Sequence, residues 1–140
     1  MSISRRDFIY KSAMLFPALH LTSLYGRTNK QSTLRVGAIG IKGMGWSDLS
    51  SILKVSNVSC TAICDVDDAV IQERQKQLQG LGQKPKVYKD YKELLKDPEV
   101  DAVIIGTPDH WHCLMLVDAC KAGKAVYVEK PIGNSIVECN

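Results

Sequence analysis

Gly40-Ile-Lys-Gly-Met-Gly45 is a glycine-rich turn that follows an apolar run and precedes a helical pattern. Glycine has no Cβ to collide with a phosphate, and a helix starting just behind such a turn offers unpaired N–H groups to an anion. This is the chemistry of holding a dinucleotide's pyrophosphate. In the G-x-G-x-x-G frame, Gly40 and Gly45 take the outer positions and Lys42 the middle one, with Gly43 beside it. A side chain at the middle position shifts the loop, using Gly43. The Lys42 ammonium then either pairs with the phosphates or points into solvent. Met44, which opens the helix, belongs to the same contact set.

Asp65 lies about 25 residues beyond Gly40, where a carboxylate can accept hydrogen bonds from both hydroxyls of an adenosine ribose. The same charge repels a 2′-phosphate, so NAD is favoured over NADP. Asp67 and Asp68 read as helix-start residues. A third segment, Thr107-Pro-Asp-His-Trp-His112, brings two imidazoles to one turn. Histidines at i and i+2 do not share a helix face, so no metal is expected there. Thr107, Pro108, His110 and His112 are instead expected to contact cofactor or substrate.

These groups need a frame to hold them, and the pattern supplies one by alternating short β-branched runs with helical stretches. Strands are expected at Arg35–Ile39, Val58–Cys64, Lys86–Tyr88, Ala102–Ile105 and Ala125–Val128. Helices are expected over 44–54, 68–79 and 110–122. Trp46, Leu49 and Leu53 fall at helical spacing in the first of these, where Trp46 reads as a packing residue. Gly80 and Gly82 supply the left-handed conformations that end the second. Asp90-Tyr-Lys-Glu93 has capping-box spacing and opens a short helix that Pro98 closes. The fold predicted is a Rossmann-type, doubly wound parallel sheet of five strands in the order 3-2-1-4-5, with the ligand at the carboxyl edge.

The chain carries 18 Lys/Arg and 15 Asp/Glu. Five of those basic residues and one acidic residue lie within residues 1–30, leaving 13 against 14 beyond. The positive balance belongs to the leader, so a nucleic-acid surface is not expected. That leader, Ser4-Arg-Arg-Asp-Phe-Ile9 with Lys11 and an apolar stretch from Ala13 to Leu24, resembles a twin-arginine export signal. The stretch is shorter than the roughly 20 residues that span a bilayer. Residues 1–30 are therefore expected to be a signal region and linker read by the twin-arginine export machinery, with 31–140 the nucleotide-binding domain. The protein is expected in the periplasm, the leader serving as an amino-terminal anchor if retained. Five cysteines, Cys60, Cys64, Cys113, Cys120 and Cys139, form no C-x-x-C pair and fit no zinc spacing. Cys60 and Cys64 read as small core side chains.

The glycine turn, Cys64-Asp-Val-Asp67, Thr107-Pro-Asp-His-Trp-His112 and Ala122-Gly-Lys-Ala-Val-Tyr-Val-Glu-Lys-Pro131 together resemble the amino-terminal domain of the Gfo/Idh/MocA oxidoreductases, over Leu34 to Glu138. The resemblance implies that Lys130 stands near the nicotinamide and the substrate hydroxyl, where a cation lowers the cost of developing alkoxide charge and helps relay the proton. Glu129 and Pro131 are implied to shape the strand end that presents it. Also implied is hydride transfer between the nicotinamide and a carbinol of a sugar, polyol or glycoside. An NAD-dependent glycoside hydrolase is the alternative within the same family. Family members carry a second α+β domain that holds the sugar-like substrate, supplies a catalytic aspartate and histidine, and commonly makes the oligomer interface. Ser135-Ile-Val-Glu138 announces a helix just before Asn140, so a chain cut short before that domain is expected. By itself it would be a nucleotide-binding fragment without turnover.

Overall fold

The computed structural model describes residues 33–137, and these form the expected α/β sandwich. The signal region at 1–30, Cys139 and the Glu138 half of the last capping box lie outside the described residues. Five strands run β1 (Leu34–Ile39), β2 (Val58–Cys64), β3 (Lys86–Tyr88), β4 (Ala102–Ile105) and β5 (Ala125–Val128). All neighbours pair in parallel, in the order β3-β2-β1-β4-β5. Between them lie α1 (Met44–Ile52), α2 (Asp68–Gly80), α3 (Tyr91–Lys96) and α4 (His112–Lys121). No helix among the described residues is long and apolar enough to cross a membrane.

Strand alternation divides the core between the two faces of the sheet. Val36, Ala38, Cys60, Ile63 and Ile104 meet Leu49 of α1 and Val70, Ile71 and Leu78 of α2 on one face. Ile39, Ala62, Cys64, Val103 and Ile105 meet Leu94 and Leu95 of α3 and Met115 and Ala119 of α4 on the other. The β1–β2 register skips Thr61, pairing Val36 with Cys60 and Gly37 with Ala62. That extra residue is why Cys60 and Ile63, three apart, share a face.

Helix ends show where local signals prevailed. Asp67 caps α2, its Oδ1 accepting from Ala69 N at 2.9 Å and Val70 N at 3.4 Å. The helix closes as a Schellman turn, with Gly82 at φ +75°, Gly82 N donating to Gln79 O and Gln83 N to Leu78 O. Gly80, expected to share the left-handed role, is instead an ordinary residue of α2. The capping box at Asp90 is only half made. Asp90 accepts from Lys92 N at 2.8 Å, while Glu93 turns to Lys96 at 2.7 Å, because a cation one turn ahead competes for its carboxylate. Helix α1 stops at Ile52 rather than 54. The expected helix over 110–122 divides into a 3₁₀ turn, Asp109–Trp111, and α4. Pro108 sets an extended entry, and Asp109 Oδ1 takes the His110 N–H at 2.9 Å, which tightens the first turn.

Candidate functional site

A cleft of about 710 Å³ opens at the carboxyl ends of β1, β2 and β4. Its wall holds Gly40, Lys42, Gly43 and Met44 of the glycine turn, Asp65, Val66 and Asp67 after β2, and Thr107 and Pro108 after β4. Lys89, Tyr91, Trp111 and Met115 close it from the β3–α3 and α4 side. A crevice at this edge, where strand order reverses about β1, is the place an open parallel sheet offers a ligand.

Three glycines let its floor form. A Cβ on Gly45 would lie 1.9 Å from Gly40 O, and one on Gly106 would lie 2.4 Å from Gly45 Cα. The turn, the start of α1 and the exit of β4 therefore pack backbone to backbone, with Gly40 at φ +76°. Gly43 differs. It sits at φ +55° with ψ −119°, and a Cβ there would meet nothing within 4 Å, so it faces open space in the cleft. It precedes α1, whose first turn has neither a side-chain cap nor an acidic residue. The first amides of a helix have no intrahelical acceptor, so this end is free to receive an anion.

Ile41, wholly buried, pins the turn from outside the cleft. Its N–H donates to Asp65 Oδ2 at 3.0 Å, and its carbonyl accepts from Arg74 Nε at 3.1 Å. Arg74 in turn lies 4.7 Å from the ring centre of Trp46, which packs against the core. Asp65 Oδ1 accepts from Asp67 N at 3.0 Å. Each carboxylate oxygen has two acceptor sites, so both can take a further donor from the cleft. Lys89 extends from β3 to the same corner, donating to Val66 O at 3.2 Å and pairing with Asp68. Lys42 is exposed on the wall. Cys64, also on the wall, has its thiol pushed up to about 12 by burial, with the Asp65 carboxylate adding to it. It is an inert thiol rather than a nucleophile.

The segment after β4 places its residues differently from expectation. Thr107 and Pro108 line the cleft, but the 3₁₀ turn presents Trp111 there and leaves His110 outside, 3.7 Å from Asp109. His112 is 2% exposed and lies behind the wall. Its Nδ1 is 2.8 Å from Pro131 O and its Nε2 is 2.7 Å from Thr107 O. A neutral imidazole has one N–H and donates to one of these carbonyls; only the doubly protonated ring donates to both. Both nitrogens lie within hydrogen-bond distance of a carbonyl oxygen, and the ring does not line the cleft.

Gly45, Glu129 and Lys130 also stand off the wall. Glu129 N donates to Ile105 O at 3.0 Å, which continues the β4–β5 ladder to the carboxyl edge and sets Lys130 just past it, exposed. Behind Glu129, Asp48 Oδ2 of α1 is buried without a partner. Burial, and then the Glu129 carboxylate, push the Asp48 carboxyl above the usual range. Among the described residues no three His, Cys, Asp or Glu side chains gather as a metal site. Sequence reasoning missed Lys89, Tyr91, Trp111 and Met115. Only Trp111 had a signal, its place in the Thr107–His112 segment.

An uncapped helix behind a glycine turn, an acidic strand end and a cleft at the sheet's switch point define a dinucleotide-binding Rossmann domain. Residues 34–140 match the Gfo/Idh/MocA oxidoreductase family, NAD-binding Rossmann fold, and the chain belongs to that family. It is 36% identical over 115 residues to a glycosyl hydrolase family 109 protein 1 from Shewanella sp. (strain MR-4). It is 35% identical, again over 115 residues, to an alpha-N-acetylgalactosaminidase from Shewanella oneidensis. Each match covers 79% of this chain and 25% of the relative, so the chain spans a quarter of those proteins' length. A crystal structure of scyllo-inositol dehydrogenase from Lactobacillus casei, with bound NAD(H) and scyllo-inositol, is 29% identical with a TM-score of 0.69. That likeness covers 76% of this chain and 31% of the dehydrogenase.

Proposed function

We propose that this chain is the NAD-holding part of an exported enzyme that moves a hydride between the nicotinamide and a carbinol carbon of a sugar, polyol or glycoside. The observation that carries the reading is the joint placement of Asp65 and the glycine turn. One carboxylate braces Ile41 N and still lines the cleft into which Gly43 and the uncapped start of α1 open. The amides of that helix start take the pyrophosphate, and Asp65 takes the ribose hydroxyls. When bound, NAD supplies the hydride acceptor. Lys130 stabilises alkoxide charge on the substrate oxygen and helps relay its proton.

Isothermal titration of NAD and NADP into the chain tests the first half. Asp65→Ala removes the ribose acceptor and strands the buried Ile41 N–H, so NAD affinity should fall about 10- to 100-fold, with the preference over NADP lost. Unchanged NAD affinity would remove the ribose role.

A second reading has its own support, since the curated relatives are a family 109 glycosyl hydrolase and an alpha-N-acetylgalactosaminidase. In it the sugar would give up a hydride to NAD, lose a proton and the aglycone by elimination, take up water at the vacated carbon, and receive the hydride back. Product analysis of a form that spans the relatives' whole length, on a panel of sugars and glycosides, separates the two. NADH accumulates for a dehydrogenase, whereas sugar is released at constant NAD for the hydrolase. For export, replacing both Arg5 and Arg6 by lysine should retain the protein in the cytoplasm. Unchanged fractionation would refute the twin-arginine reading.

A further inference from the structure

We infer that His112 is a positioning residue: its imidazole ties the Thr107 turn on the cleft wall to the Pro131 loop and so holds the backbone that presents Lys130. This rests on the role given to Lys130 above. Glu129 N still belongs to the sheet through Ile105 O, but Lys130, Pro131 and Ile132 are exposed beyond it. An exposed segment leaving an edge strand carries its next side chain loosely unless something buried grips it. The grip here is a ring 2% exposed, at the first position of α4, in a helix anchored in the core by Met115 and Ala119. Nδ1 meets the carbonyl of Pro131, one residue past Lys130, and Nε2 meets the carbonyl of Thr107.

The two contacts join the ends of β4 and β5 across the carboxyl edge. The Thr107 side chain is itself fixed inward, its hydroxyl 3.7 Å from Met115 Sδ. The Lys130 backbone is thereby referred to a wall of the NAD cleft rather than to solvent. A histidine suits the task because its two ring nitrogens diverge in one rigid plane, so a single side chain spans two loops, donating to both carbonyls when each nitrogen carries a hydrogen.

The two nitrogens can be removed separately. An asparagine amide reaches about where Nδ1 lies and a glutamine amide about where Nε2 lies, so His112→Asn keeps the Pro131 contact and His112→Gln keeps the Thr107 contact. Amide hydrogen exchange is followed by NMR on the whole 140-residue chain, without NAD. In His112→Gln, exchange at Glu129, whose N–H is bonded to Ile105 O, should quicken about tenfold with Trp111 N in the Thr107 turn unchanged; in His112→Asn the pattern should reverse. Equal effects in the two variants, as simple loss of packing would give, overturn the inference. So does unchanged exchange at Glu129 in His112→Gln. Should a variant not fold, the wild type still decides. A ring N–H of His112 should exchange slowly and show cross-relaxation to protons of Pro108 or Ile132, and a freely exchanging ring refutes the clasp. Since NAD is absent throughout, this result is independent of the Asp65→Ala titration.

Discussion

Gly45→Ala asks whether the NAD cleft owes its shape to close backbone approach. The added Cβ would lie 1.9 Å from Gly40 O, 3.1 Å from Gly40 C and 3.2 Å from Gly106 Cα. Side-chain carbons essentially never come within 3.0 Å of such atoms. The turn or the helix must therefore give by about 1 Å, and no rotamer change can relieve a clash with backbone. Nor is the turn free to move, since Gly40 N is bonded to Cys64 O at 2.9 Å and Ile41 is held on both sides by Asp65 and Arg74. Overpacking of this kind falls at the upper end of its range, about 3 kcal/mol. In a folded unit of this size that lowers Tm by about 12–24 °C. A 1 Å shift also takes at least one amide away from the pyrophosphate, about 1.5–3 kcal/mol, so NAD affinity should fall about 10- to 150-fold. Gly80→Ala is the matched control. Its Cβ meets nothing within 4 Å, its φ is not positive, and it ends α2, so it should stabilise by up to about 1 kcal/mol. Thermal unfolding and calorimetric titration of both variants are the assays. A Gly45→Ala chain melting within about 3 °C of wild type, with NAD affinity intact, refutes the packing argument.

Two further outcomes concern acid stability and thiol chemistry. The Asp97 carboxyl, 5% exposed, is held down to about 2 by the Glu99 N–H first, then by the Tyr88 hydroxyl and the Lys86 ammonium. Its folded value lies below the unfolded one, so this stabilisation, about 1–2 kcal/mol, is present above pH ~4 and lost as pH falls toward ~2. Urea unfolding across that window should show a steep loss in wild type and a flatter one in Asp97→Asn; parallel curves would refute it. Cys60 and Cys64 thiols are both pushed up to about 12, chiefly by burial, whereas Cys120 is exposed. Iodoacetamide at pH 8 should label Cys120 in the folded chain and Cys60 and Cys64 only after unfolding, as read by peptide mass spectrometry. Labelling of Cys64 in the folded state would contradict its placement.

What the sequence disclosed follows from which signals are local. Strand limits were legible because the runs of β1, β2 and β4 stop at Gly40, Asp65 and Gly106, and β1 came out only one residue longer than expected, beginning at Leu34. Asp65, Thr107 and Pro108 were legible as cleft residues because a residue at the carboxyl end of a parallel strand faces that edge whatever the details. The histidines were not. In a continuous helix from His110 the facing side chain is set by a 3.6-residue period. The 3₁₀ turn rotates each residue by a third of a turn and puts Trp111 on the wall instead. Arg74 and Asp97 left no trace, since their partners lie 33 residues away at Ile41 and 11 residues away at Lys86. Such meetings are set by topology rather than spacing.

That topology also separates two tasks. Asp97, Asp101 and Lys124 precede β4 and β5, while Arg35 is the second residue of β1 and Lys86 the first of β3. Arg35 clasps Asp101 through Nε and Nη2, and Lys124 Nζ donates to the carbonyls of Asp97 and Val100. This polar belt lies along the amino edge of the sheet and leaves the carboxyl edge to the glycine turn, Asp65 and the His112 bridge. β1 and β2, which lead to the glycine turn and Asp65, have six and seven residues, so their two ends lie roughly 17–20 Å apart, beyond the range at which substitutions couple through shared partners. Asp97→Asn combined with Asp65→Ala should therefore show additive losses of stability, with NAD affinity following Asp65 alone. Gly45→Ala combined with Asp65→Ala should be less than additive, because both act on the one turn that Ile41 anchors.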